Sequence, residues 1–483
     1  MKRRARCKKR ACRFTEREEK DGVKRMQITL PQRRIPVRDQ TQVLVVGGGP
    51  AGVSAAAAAA RMGYQTMLLE KRGFLGGNVT GSYVETCNYF MRGTAFSPQG
   101  IAREIEDSFD REYPSDDCRP DAPHRFHSEH LKVFLDDFMA RNGVRVKLHA
   151  FVNEVSVRDG RIGAVVIQTK QGPQAVRAEV VIDCTGDGDV AFACGIPFDQ
   201  GRDSDHLCQP GTVSLRLAGA DTEALLREGD GLKEISRRFN REYRAGETGL
   251  PCFRQDLPFG RLTQVGVISY VNYACSYGID PTDVDDLTRG EQECRRFILD
   301  IYRYMKGHYP GFEKTEIASM SPEIGFRDSR RIHGRYRLTI QDMEEHKHFE
   351  DCIAVYPRFY DMLTPDPSLL KAGDGSVAGG GYRGHIYEPI TDGRAFEVPY
   401  RCLVPVQIDN LLTAGRCISA CHVAESGVRA ISLCAMTGQA AGTAAGLCLR
   451  DQCAPADADI RELQERLRQG GFTLPPEKKG DLL

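Results

Sequence analysis

The densest run of chemistry-bearing residues is 42–70, QVLVVGGGPAGVSAAAAAARMGYQTMLLE. Gly47, Gly49 and Gly52 take a G-x-G-x-x-G spacing, with Pro50 and Ala51 inside it. Glycines so spaced have separate duties: the first permits a tight turn, the second lets backbone approach a pyrophosphate, and the third lets helix pack close on strand. A helix starting there offers free N–H groups and a positive dipole end to phosphate oxygens. Glu70 stands 18 positions past Gly52, where a carboxylate accepts from a ribose 2′-hydroxyl and so favours an unphosphorylated adenosine ribose. The glycine spacing alone is weak, because glycine-rich loops are common. Here the elements it needs also arrive in order: a β-branched strand at 42–46, an alanine-rich helix at 51–62 and a second strand at 64–69. They predict a β-α-β unit holding a dinucleotide, against an α/β unit without one.

Four further stretches carry residues that bind or move charge. In 71–81, KRGFLGGNVTG, Lys71 follows Glu70, Gly76 and Gly77 let backbone pass close to a flat or charged ligand, and Asn78 can donate to it. A plain glycine turn explains the same letters. In 181–189, VIDCTGDGD, a strand runs into Thr185, Gly186 and Asp187 ahead of an apolar helix. Residues 325–339, GFRDSRRIHGRYRLT, hold Arg327, Arg330, Arg331, Arg335 and Arg337. They form either a solvated basic face or an anion pocket with bidentate guanidinium groups. In 403–449 a strand ends at Ala414-Gly415, Arg416 follows, and a loop with His422 leads to a long small-residue helix starting near Gly427. Histidine suits general acid/base work near neutral pH, and a packed loop histidine is the alternative. Gly438, Gly442 and Gly446 stand four apart, the ridge of a closely packed helix, and Arg429 and Gln439 exclude a membrane span.

The rest of the chain positions these groups. Helices are expected at 99–113 and 128–142, the second capped by Ser128, and period-two strands over 144–184. Residues 201–400 are more charged and irregular, with helices at 221–245 and 288–306 and a mobile glycine-rich loop at 373–384. Tyr382, His385 and Tyr387, on that glycine-rich segment, suit an acid-bearing lid. The first 25 residues hold 12 basic and 4 acidic side chains and are expected to be a disordered tail. The balance of 66 Lys+Arg against 66 Asp+Glu argues against nucleic acid and membrane surfaces as partners. Seventeen cysteines with no C-x-x-C pair and no apolar signal segment suggest reduced thiols in a cytoplasmic protein and no metal site.

Taken together, 47–52, E-K-R-x-x-x-G-G at 70–77, V-I-D-C-T-G-D-G-D at 181–189, R-D-S-R-R-I at 327–332 and N-L-L-T-A-G-R-C-I-S at 410–419 resemble a known family. The chain is similar to bacterial FAD-dependent oxidoreductases related to the heterodisulfide reductase flavin subunit and to thiazole-forming enzymes. More distantly it is similar to glutathione-reductase-like and fumarate-reductase-like flavoproteins. The resemblance covers about residues 40–450. It implies an α/β fold, a glutathione-reductase-like Rossmann FAD domain (40–215 and 400–450) with an inserted α+β substrate domain (216–399) and a C-terminal helix or tail (451–483).

It also implies non-covalent FAD in an extended pose. Gly47, Gly49, Pro50, Ala51 and Gly52 would face the pyrophosphate, Glu70 and Lys71 the adenosine end, and Gly76, Gly77 and Asn78 the flavin. Val152 would offer backbone to adenine, and Thr185, Gly186 and Asp187 would line the pyrophosphate. Gly415 and Arg416 would sit near the ribityl chain, and Ser426, Gly427 and Val428 at the pyrimidine edge. A helix starting near Gly427 would point its positive end at N1–C2=O, where charge develops on reduction. Arg416 departs from the Gly-Asp of many relatives, with Asp187 or Asp409 as replacement carboxylates. Hydride moves to or from flavin N5, with His422 as acid/base, Arg429 as an anchor or flavin stabiliser, and Arg330 and Arg331 as substrate anchors. The expected activity is oxidation or reduction of a small organic molecule, with NAD(P)H docking transiently or a protein exchanging electrons. The rivals are an electron-transfer subunit of a larger redox complex and a flavoprotein acting on RNA. Assembly, including a homo-oligomer, stays open.

Overall fold

The computed structural model describes residues 13–18, 24–29, 32–85, 98–119, 126–227, 231–250, 259–357, 361–366 and 395–475. Strands β1 (Arg13–Glu18) and β2 (Lys24–Thr29) pair antiparallel, with Phe14 opposite Ile28. β1 lies in the stretch expected to be structureless, while β2 lies mostly beyond residue 25; Met26 and Ile28 alternate with polar neighbours, and the intervening sequence holds Asp21-Gly22, a dipeptide that favours hairpins. β3 (Val37–Val46), α1 (Pro50–Arg61) and β4 (Thr66–Leu69) then form the expected β-α-β unit, β3 and β4 pairing parallel. β4 is buried throughout, as a strand covered on both faces must be.

Next come α2 (Asn78–Gly81), α3 (Ile101–Glu112) and α4 (Ser128–Arg141). Ser128 is not the cap of α4. His127 holds that position, and the Ser128 hydroxyl instead donates to Glu85 Oε1 at 2.9 Å. β5 (Arg145–Lys147) pairs with β4, and β6 (Phe151–Arg158), β7 (Arg161–Thr169) and β8 (Gly172–Asp183) make an antiparallel meander. Asp159 and Gly160 between β6 and β7 both have positive φ, the conformation a two-residue hairpin turn needs.

A short α5 (Asp189–Ala193) and β9 (Phe198–Gln200) lead to β10 (Gly211–Ala218), α6 (Thr222–Arg227), α7 (Leu232–Arg244), β11 (Ile268–Ser276), α8 (Val284–His308) and β12 (Glu316–Met320). Strands 11, 10 and 12 form their own sheet over a second hydrophobic core with Phe239, Ile298 and Phe312. β13 (Arg330–Ile332) pairs with β9, α9 (Ile340–Glu344) follows, and β14 (Cys352–Pro357) pairs with β15 (Ala395–Pro399). Ile353 and Val398 of that pair sit in the first core, with α1. The glycine-rich loop and its Tyr382, His385 and Tyr387 lie outside the described residues. β16 (Leu411–Thr413), α10 (His422–Val428), α11 (Ile431–Asp451) and α12 (Ile460–Gln469) complete the chain order.

The main sheet runs β5-β4-β3-β8, and β8 then carries β7 and β6 along one stretch and β16 along another. β3, β4, β5, β8 and β16 are parallel where they meet, so Gly47, Glu70, Cys184 and Ala414 all emerge at one sheet edge. Open α/β sheets bind ligands at that carboxyl edge. Beneath it α1 and α11 touch backbone to backbone. A Cβ on Gly438 would stand 2.0 Å from Ala51 O, and one on Gly442 2.2 Å from Ala55 O. The four-residue glycine spacing therefore does what the sequence predicted.

Candidate active site

The glycine loop is built by subtraction. Gly47 has φ +100°, and a Cβ there would lie 2.4 Å from Cys184 O. Gly52 brings α1 so close that its Cβ would meet Gly47 O at 1.7 Å. Gly49 is different: its φ is −74°, and the nearest heavy atom to a Cβ is Gly77 Cα at 3.7 Å. Backbone sterics do not require glycine there, and what it leaves is open space beside the α1 N-terminus, where Pro50 has no N–H and Ala51 and Gly52 have theirs unspent. That cradle fits a pyrophosphate. Glu70 is 3% exposed, accepting from Gly48 N–H at 2.6 Å and Arg72 N–H at 2.8 Å.

Other predicted residues close round this loop. Gly76 N–H donates to Gly48 O at 2.8 Å, and a Cβ on Gly77 would stand 2.9 Å from Gly49 Cα. Asn78 spends its amide on Phe326 O at 3.1 Å. Val152 lies two residues past Ala150, whose N–H donates to Glu70 O at 2.9 Å. A Cβ on Gly415 would touch that of Ala51 at 2.9 Å. Pro50, Gly76, Val79, Ile431 and Ser432 help line an apolar cavity of about 40 Å³, which joins the loop to the start of α11.

At the end of β8, Asp183 is fully buried and accepts from Thr185 N and Oγ1 and from the N–H groups of Val190 and Ala191, fixing the Thr185–Gly186 turn. Asp187 accepts from Arg416 Nη2 at 2.6 Å and Ser329 Oγ at 2.7 Å, with Lys71 Nζ at 3.9 Å. Burial raises the Asp187 carboxyl, but Arg416 and Lys71 outweigh it and hold it at about 2. Asp187 is therefore the carboxylate beside Arg416. Asp409 is elsewhere, its N–H on Gly160 O in the β6–β7 turn.

The arginine-rich segment divides between roles. Arg335 and Arg337 are exposed. Arg330 Nη1 donates to Asp187 O at 3.1 Å and Asp189 Oδ1 at 3.0 Å, and its guanidinium lies 4.1 Å from the Phe192 ring centroid. Those contacts brace the loop after β8 rather than present a free anchor. Arg331, 1% exposed, donates to Ala420 O at 3.1 Å and Gly201 O at 2.8 Å, while its Nη1 has no partner among the described residues.

The largest correction concerns 422–430. The long helix does not begin near Gly427. α10 runs from His422 to Val428, Arg429 caps it, Ala430 is extended, and α11 begins at Ile431. Ser426, Gly427 and Val428 thus lie at the C-terminal, negative end of a short helix, and the free N–H groups of a long helix belong to 431–433 instead. His422 is the first residue of a helix rather than part of a loop, and it is buried. Its Nδ1 lies 3.0 Å from Asp328 Oδ2, not aligned as a hydrogen bond. Three and seven residues on along the same face come Glu425, which is fully buried, and Arg429, which pairs with Asp361 Oδ2 at 3.1 Å. Burial, then Asp328, push the Glu425 carboxyl up to about 8 against the pull of Arg429, Arg331 and Arg416. Neither Glu425 oxygen has a hydrogen-bond partner among the described residues. Sequence reading missed Glu425, although its three-residue spacing from His422 was a usable signal. It also missed Asp328 and Gln209, whose backbone N–H donates to Asp328 Oδ1 at 2.7 Å, because only the tertiary fold brings them there.

The parallel sheet, its glycine loop and the open cradle define a dinucleotide-binding α/β protein. Residues 42–467 match the family described as FAD dependent oxidoreductase, and the chain belongs to it. It is an FAD-dependent oxidoreductase with a mixed α/β, Rossmann-like FAD-binding fold. No curated protein sequence matches the chain. Among solved structures it is similar to a geranylgeranyl bacteriochlorophyll reductase-like protein from Thermoplasma acidophilum (14% identity, TM-score 0.44, covering 89% of this chain and 83% of that one). It is also similar to a flavoprotein/dehydrogenase from Cytophaga hutchinsonii (14%, TM-score 0.43, 89% and 83%). A triple mutant of a flavin-dependent brominase gives 11%, TM-score 0.46, 89% and 84%. These likenesses are low. No helix among the described residues is long and apolar enough to cross a membrane.

Proposed function

We propose that the protein oxidises or reduces a small organic molecule by hydride transfer at the N5 position of non-covalent FAD. The observation that carries this is the convergence of 47–52, 76–77, 185–187 and 415–416 around a glycine whose missing Cβ leaves open space. In this reading Ala51 and Gly52 N–H groups hold the pyrophosphate, Glu70 the adenosine ribose, and Asp187 and Arg416 the ribityl side. FAD bound there supplies two-electron chemistry. His422, beside Asp328 and flanked by Glu425, holds and moves the accompanying proton at Nε2, and Arg331 faces the substrate. The unit built on the second core is the inserted substrate domain of a glutathione-reductase-like plan. Kinship with the heterodisulfide reductase flavin subunit and thiazole-forming enzymes rests on the shared motifs. NAD(P)H docks transiently, or a partner protein exchanges electrons.

The test is anaerobic addition of NADH, NADPH, small acids, alcohols and enones to the purified flavoprotein. Bleaching of the flavin by one of the small molecules, or bleaching by NAD(P)H with recovery on an enone or keto compound, is the expected result. A flavin that none of them alters, and that only a protein partner reduces or oxidises, would contradict it and favour an electron-transfer subunit.

A further inference from the structure

We infer that the buried cluster of Gln209, Asp328, Arg331, His422, Glu425 and Arg429 binds the carboxylate of a small organic acid, with Arg331 and Gln209 as its principal donors. The inference rests on the proposed reading that this face of the protein receives the substrate.

Unpaired buried polar atoms are few in folded proteins, so a concentration of them marks a place built for something else. Among the described residues Gln209 Nε2, Arg331 Nη1, Arg429 Nε, Asp328 Oδ2, both His422 nitrogens and both Glu425 oxygens are buried without a hydrogen bond. The chain links them. Gln209 N–H donates to Asp328 Oδ1, Asp328 Oδ2 faces His422 Nδ1, and His422, Glu425 and Arg429 share one face of α10. Gln209 is itself fixed, its Oε1 accepting from Leu363 N–H at 3.0 Å, which leaves its amide nitrogen as the group on offer.

The charge of the cluster selects the ligand. A guanidinium keeps its proton in proteins, and a buried one left without an anion is strongly unfavourable. Among the described residues, the hydrogen bonds of Arg331 go to the neutral carbonyls of Ala420 and Gly201. Arg416 is matched by Asp187 and Arg429 by Asp361. Of the carboxyls around Arg331, Asp199 is taken by His333 and Arg337, Asp328 is shared with His422, and Glu425 is held protonated below about pH 8. A protonated Glu425 is a donor, so donors outnumber acceptors. A carboxylate, with two oxygens and about four lone-pair sites, supplies the missing acceptors.

Glu425 then makes binding pH-dependent. It is faced by Asp328 and Arg331 from the β13 segment, Arg416 from the turn after β16, His422 and Arg429 on its own helix, and Cys434 on α11. Above about pH 8 its ionisation puts a second carboxylate beside the ligand, and affinity falls.

The experiment titrates the FAD-loaded full chain with acetate, pyruvate and benzoate, each against its primary amide, reading the flavin absorbance and the thermal midpoint. At least one acid is expected to bind at pH 7 and its amide not to bind. Arg331→Gln should weaken that acid by about tenfold or more, the loss of a charge-assisted pair. Gln209→Glu, which keeps the acceptor toward Leu363, should do the same if Arg331→Gln fails to fold. Glu425→Gln should abolish the decline above pH 8, read as the ratio of acid affinities at pH 7 and pH 9. Equal binding of acid and amide, no binding of any acid to flavin-loaded protein, or acid binding indifferent to Gln209→Glu would overturn the inference. Each of those leaves the flavin spectrum intact, whereas failure of the underlying reading appears as protein without a flavin response to any small molecule.

Discussion

Two buried polar sites meet at Arg416, one the glycine loop at the end of β3 and the other the face of α10. In the first, polar groups are satisfied by neighbouring backbone: Glu70 takes two N–H groups, Asp183 takes three backbone N–H groups and a hydroxyl, and the glycines remove every atom that would obstruct. In the second, Gln209, Asp328, Arg331, His422 and Glu425 are buried with donors and acceptors still unspent among the described residues. The loop is finished before any ligand arrives, apart from one opening beside Gly49. The α10 cluster is incomplete as it stands. The difference suggests a division of labour, a rigid seat for a resident cofactor beside a responsive pocket for a molecule that comes and goes.

The division predicts opposite responses to substitution. Gly52→Ala is the harshest test of the rigid seat, because its Cβ would lie 1.7 Å from Gly47 O. Overpacking costs about 1–3 kcal/mol and occasionally more. A loss of about 3 kcal/mol in urea unfolding, or failure to fold, is expected, and wild-type stability would mean that the loop yields. Glu425→Gln should act gently and in the other direction. The folded carboxyl titrates near 8, above its unfolded value, so the folded state holds an extra proton between the two. Wild-type stability therefore falls as pH rises from the unfolded carboxyl range through about 8, and the glutamine variant should lack that slope in thermal melts. Parallel slopes would place Glu425 in water and dissolve the contrast.

The rigid seat was legible in the sequence and the cluster only in part, for a physical reason. Gly47, Gly49, Gly52 and Glu70 act on neighbours within one β-α-β unit, so their spacing carries their roles. Gly438 and Gly442 were legible for a similar reason, since a four-residue ridge means close helix contact whatever the partner. The start of α11 was misread because Arg429 and Ala430 break the helix without glycine or proline, and Asp361 draws the Arg429 side chain away. Arg330 and Arg331 are adjacent in sequence yet point to opposite sides of a three-residue strand. Which one is free depends on Asp187, Asp189, Ala420 and Gly201, and no local pattern brings those groups together.

The most direct measurement compares FAD binding and folding in Gly49→Ala. Gly49 has φ −74° and 3.7 Å of clearance for a Cβ, so the fold should accept alanine at a cost of at most about 1 kcal/mol as a weaker helix cap. The space it fills is the cradle. A variant that melts like the wild type but binds FAD about tenfold or more weakly is the predicted result. A variant that folds and binds FAD with unchanged affinity would contradict the claim that this loop seats the cofactor.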